Sequence, residues 1–102
     1  YKNVLSNLSE NDIEALYDIQ TYWFTYKDNY LNSDDERYHK HIPGFIVEDW
    51  DKVMPIAIDH RNDGKPEMWN QNIIIPLMFE MIKTEHKNNE DLKRRIKLLE
   101  GE

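Results

Sequence analysis

Cysteine is absent from the 102-residue sequence. That excludes disulfides, thiolate nucleophiles and cysteine-built metal sites, and it suits a reducing compartment. Glycine is scarce, with three residues, and no glycine-rich loop of the kind that cradles phosphates is present. No apolar run approaches the roughly 18–20 residues that cross a bilayer, and the first residues carry no leader-type apolar stretch. Basic residues are few: 13 Lys and Arg stand against 20 Asp and Glu, a formal net charge of -7. An acidic chain lacks the basic face that nucleic-acid binding requires, so nucleic acid is not expected as a partner, nor is a membrane.

The residues present suit one small domain. Apolar residues make up 39% and the mean hydropathy is -0.87, so a monomer's core would be small and burial against partner chains would add to it. The acidity is uneven. From Lys83 onward six basic residues balance five acidic ones, while the rest of the chain carries seven against fifteen. The acidity itself reads as a solubility feature.

Ser9 followed by Glu10, Asn11 and Asp12 reads as a helix start, with Ser9 as the cap and acids in the first turn. Ile13, Leu16 and Tyr17 give that helix a short apolar face. Residues 21–27 (TYWFTYK) are β-branched and aromatic and read as a strand, with Trp23 and Thr25 on one face and Tyr22, Phe24 and Tyr26 on the other. Residues 28–40 read as a polar loop. Residues 44–48 (GFIVE) read as a short buried strand. Asp49 then caps a helical turn that stops near Pro55. Residues 56–58 form a further apolar run, Asp63-Gly64 predicts a hairpin turn, and residues 67–69 a return strand.

The last third has another character. Pro76 suits the first turn of a helix, where its missing N–H has no partner to lose, and no Gly or Pro follows before Leu99. Such a helix of about 24 residues would be roughly 36 Å long and would project from the body. Heptad spacing places Ile75, Ile82, Asn89 and Ile96 at a, and Met78, Glu85, Leu92 and Leu99 at d. Below Ile82 the apolar residues are confined to this seam, a stripe narrower than globular packing uses, so parallel self-association is expected. Arg95 at g and Glu100 at the following e are placed to pair between chains, while Glu90 with Arg94 and Asp91 with Arg95 would support each helix. Ile at a with Leu at d, and Asn89 at a, lean toward two strands. The expected fold is therefore α+β, with a small globular head over residues 1–72 and a coiled-coil helix over residues 73–102.

Taken in order, residues 42–49 (IPGFIVED), 53–57 (VMPIA), 63–70 (DGKPEMWN) and 74–78 (IIPLM) resemble the endosialidase-type intramolecular chaperones, self-cleaving serine-lysine peptidases. Leu16-Tyr17, residues 23–27 (WFTYK) and the closing charged helix fit the same pattern, and the Trp-Asn and Ile-Pro forms look most like phage neck-appendage and tail proteins. The resemblance implies a domain at the C-terminus of a trimeric fibre, spike or appendage chain. Three copies would associate through Met78, Ile82, Asn89, Leu92, Ile96 and Leu99, set the parent chains in register and then be cut off. It thus replaces the two-strand leaning with a homotrimer, partnered by its own parent chain upstream. Assembly would take place in the host cytoplasm and the parent would reside in the virion.

The family's dyad is a serine nucleophile and a lysine base five residues apart, with the cut before the serine. Its lysine matches Lys2, the candidate general base, and the serine would lie before Tyr1, so this chain would be a released product or a trimmed piece. A helping histidine in the family matches His41, with His39 as the alternative. His39, His41 and His60 supply no clear third or fourth ligand, so no metal and no cofactor is expected. Two other readings remain: a non-catalytic coiled-coil interaction module, and, with little support, a metal-dependent enzyme.

Overall fold

The computed structural model describes residues 1–27 and 30–101. It is mixed α and β, with two small antiparallel sheets and one long C-terminal helix. The elements are α1 (Glu10–Ile13) running into a 3-10 segment (Glu14–Asp18), β1 (Thr21–Phe24), β2 (Ile42–Phe45) and α2 (Val47–Val53), then a 3-10 turn (Pro55–Ala57), β3 (Ile58–His60), β4 (Pro66–Trp69) and α3 (Gln71–Glu100).

Ser9 caps α1 as its sequence suggests. The Asp12 carboxylate accepts from both the Ser9 N–H (2.8 Å) and the Ser9 Oγ–H (3.1 Å). The face it sets up buries Ile13 and Leu16. Strand β1 pairs antiparallel with β2, Thr21 opposite Phe45 and Phe24 opposite Ile42. Gly44 is required here. A Cβ at that position would stand 2.7 Å from the Phe24 ring, so only a bare backbone lets the ring lie across β2. Between the strands, the described part of the expected loop is a run of turns held by Arg37, whose guanidinium forks onto Asp35 and lies 5.1 Å over the Tyr26 ring. Asp28 and Asn29 of that loop lie outside the described residues.

The segment read as a strand over residues 44–48 is divided. Phe45 ends β2, Ile46 is the N-cap of α2, and Val47 already begins the helix, two residues ahead of the expected Asp49 cap. Glu48 and Asp49 sit in its first turn, where the helix dipole favours them, and the helix buries Trp50. Local β-propensity is overridden by that burial. Trp50 packs edge-on to Phe45, which packs edge-on to Trp69, with centroids 5.4 and 5.3 Å apart. The Trp50 Nε1–H finds no acceptor among the described residues, a cost of about 1–3 kcal/mol that the packing offsets. As expected, α2 stops at Val53, before Pro55.

The Asp-Gly turn joins β3 and β4. Gly64 adopts φ 84°, and its N–H donates to the Arg61 carbonyl at 2.9 Å. Strand β4 ends at Trp69, and the next residue, Asn70, anchors the following element three ways. Its N–H donates to the Ala57 carbonyl, its side chain caps α3 by accepting from the Asn72 N–H, and its amide reaches Asp59 at 3.5 Å.

Helix α3 therefore starts at Gln71, five residues before Pro76. That proline lies inside the helix rather than in its first turn. The Asn70 cap decides the start. Pro76 forfeits one backbone bond early in the helix, where buried Ile74 and Leu77 on either side hold the turn in place. The core is small: Ile13, Leu16, Trp50, Ala57, Ile58, Ile74 and Leu77. With 30 residues, α3 is roughly 45 Å long. It stretches the chain to 65 × 36 × 24 Å and a radius of gyration of 19.1 Å, against about 13 Å for a compact chain of this size.

Candidate oligomerisation face

Helix α3 carries two apolar stripes. Ile74, Leu77, Met81 and Thr84, at alternating spacings of three and four, face the body. Ile74, Leu77 and Thr84 are buried there against the α1 region and the 3-10 turn, with Met81 packed on the core's edge. The heptad seam is the same pattern shifted by one residue, about 100° around the helix. It meets nothing. Ile75, Ile82, Leu92, Ile96 and Leu99 are 53–73% exposed, and Met78 and Phe79 are exposed beside them. The helix is therefore fixed to its own body by one face, while the apolar side chains of the seam stay exposed from Ile75 to Leu99.

The upper and lower halves of the seam differ. Above Thr84 the body flanks it. Tyr17 reaches across, its O–H donating to the Met81 carbonyl at 3.2 Å, and it shares a surface hollow with Ile82, Glu85, His86 and Asn89. Partial burial against the helix raises the Tyr17 phenol above its ordinary 10.0, and the neighbouring Glu85 carboxylate pushes the same way. Beyond Thr84 no described side chain is buried. That half is a free amphipathic rod whose charged flank is laced by Glu90 with Lys93 (3.4 Å) and Asp91 with Arg94 (3.5 Å). These pairs replace the expected Glu90–Arg94 and Asp91–Arg95 pairs. The acids reach three residues along rather than four, which the helix surface permits equally. Among the described residues Arg95 and Glu100 make no ion pair.

The residues with a chemical expectation stand apart from one another. Lys2 lies in an irregular N-terminal arm, residues 1–8, that is exposed throughout, with its ammonium 5.5 Å over the Tyr1 ring. Tyr1, Val4 and Leu5 of the same arm are also uncovered. His41 is exposed immediately before β2. His39, at φ 60°, sets its ring against Tyr38, tilted at 45° with centroids 4.1 Å apart. His60 is not with them. Its Nε2 bonds Asp51 Oδ1 at 2.6 Å, tying β3 to α2, a pair that sequence spacing does not reveal because it joins two elements nine residues apart. Among the described residues no three His, Asp or Glu side chains cluster as a metal site, and no helix is long and apolar enough to cross a membrane. Trp23, on β1, is 74% exposed.

Compared with protein-family models and with curated proteins, the chain finds no match.

Proposed function

We propose that this chain is a parallel trimerisation domain of the intramolecular-chaperone type, joined to the end of a phage fibre, spike or neck-appendage chain and released from it by autoproteolysis. The observation that supports the reading most is the open seam on α3 beside a separate stripe that already serves the body. An exposed apolar stripe of this length, broken only at Glu85 and Asn89, marks an association surface, and its heptad spacing suits a second helix running alongside. Register-setting by a coiled coil suits a parent whose strands must pair between chains, because association at one end raises the local concentration of everything upstream. Sedimentation equilibrium tests the first half: a mass of three chains supports the proposal, and a monomer at every concentration refutes it.

The exposure of Lys2 favours a second reading, a non-catalytic coiled-coil module. A lysine serves as a base near neutral pH when burial strips its proton, and nothing covers Lys2 within one chain. Expression of the parent with its upstream residues, read by intact mass, separates the two. A cut five residues before Lys2, lost on replacement of the serine there, supports the peptidase. An uncut trimer supports the module.

A further inference from the structure

The seam is interrupted at one layer. Between Ile82 and Leu92 its inward positions are Glu85 and Asn89, and Glu85 is the only seam residue with a charge. Three other acids on α3 pair with a basic residue three along, Glu80 with Lys83, Glu90 with Lys93 and Asp91 with Arg94. Glu85 has none. Positions three and four residues away are Met81, Ile82, Asn88 and Asn89, while Lys83 and Lys87 lie two residues off and face elsewhere. Among the described residues, no Lys or Arg of the body lines the hollows that Glu85 shares. From the elements packed beside it, Tyr17, Glu10 and Glu14 line the hollows that Glu85 shares, and on its own helix His86 is adjacent. The surroundings of this carboxylate are thus acidic or neutral, apart from one titratable histidine.

We infer that Glu85 makes self-association of this chain pH-dependent, tightening it in mild acid. The inference rests on the proposed parallel oligomer. Parallel association brings every copy's Glu85 to the same level on the axis, beside Glu10 and Glu14 of each body. Ionised carboxylates gathered there repel one another and lose water. Protonation removes both penalties, so the oligomer takes up protons relative to the separated chains, and lower pH favours it. An apolar residue at position 85 would hold the seam closed at any pH.

The test is sedimentation velocity on the full chain at about pH 7.5 and about pH 5.5. Salt is held at about 0.3 M, so that repulsion between the acidic surfaces is screened while the axial layer is not. The wild-type association constant should rise at least about tenfold in acid. Glu85→Gln, at an exposed site with a good helix former, should associate at both pH values as tightly as the wild type does in acid. His86→Gln should keep the pH dependence. An oligomer of equal affinity at both pH values overturns the inference and leaves the trimerisation reading intact. So does a Glu85→Gln chain that keeps the full dependence, or its loss in His86→Gln. A wild-type monomer under all conditions overturns the trimerisation reading itself, and this inference with it.

Discussion

Replacing Leu92 and Ile96 together by Glu separates folding from association. Both side chains lie beyond the last buried residue of α3, so the body loses no contact. Glu is a good helix former, so the helix should persist. In the isolated chain the two side chains are 53% and 54% exposed. Covering the exposed half of each stabilises an oligomer by about 1 kcal/mol, or about 6 kcal/mol over the six side chains of a trimer. Losing that weakens the trimer by about four orders of magnitude before any repulsion among the new carboxylates. The expected outcome is a monomer by sedimentation velocity at concentrations where the proposed wild-type trimer forms, with helix content by far-ultraviolet circular dichroism nearly unchanged. An unchanged mass would refute the seam. Loss of helix along with association would refute the claim that the body holds α3 by its other face.

Neighbouring isoleucines give a second check. Ile74→Ala should cost about 2–5 kcal/mol of thermal or chemical stability, because Ile74 is fully buried, whereas Ile75→Ala should leave the dilute monomer nearly unaffected and weaken association. Gly44→Ala should destabilise the first hairpin by about 1–3 kcal/mol in chemical denaturation, since the Phe24 ring must move off the new methyl. Asp35 accepts bonds from the Arg37 side chain and backbone, which lowers its carboxyl from 3.8 to about 2. A side-chain NMR titration should show that value, and Arg37→Ala should return it toward the ordinary range. The sign follows from the depressed value: the fork is intact above about pH 4 and is lost as the pH falls toward 2. In a parent carrying the upstream residues, Lys2→Ala should stop cleavage in gels and leave the trimer assembled; normal cleavage would remove Lys2 from the role of base.

How much of this was legible in the sequence depended on whether the local signal had a competitor. The Asp63-Gly64 turn had none, because few residues take positive φ as readily as Gly, and the hairpin forms there. Residues 44–48 carried two signals. Their β-branched side chains read as strand, but Val47 belongs to the helix that buries Trp50, and only the assembled core decides between them. The start of α3 was misplaced because Pro76 is a conspicuous marker, whereas the Asn70 cap gains its weight from tertiary bonds to Ala57 and Asp59. The body-facing stripe was hidden in plain view. Ile73, Ile74 and Ile75 are consecutive, and composition cannot tell which of them turns inward. For Lys2 and His41, the sequence supplies a resemblance and the structure supplies positions, with no contact between them.

The two stripes of α3 also restrict how its length can change. One is locked to the body near Ile74 and the other continues to Leu99, so the angle between them is stored in the residue count of the intervening turns. Adding one residue after Thr84 would swing everything below it by about 100° relative to the body above, while adding seven would leave the stripe close to its original bearing. Variation in this rod should therefore come in whole heptads, because a single-residue insertion or deletion between Thr84 and Leu99 turns the lower stripe away from the upper one.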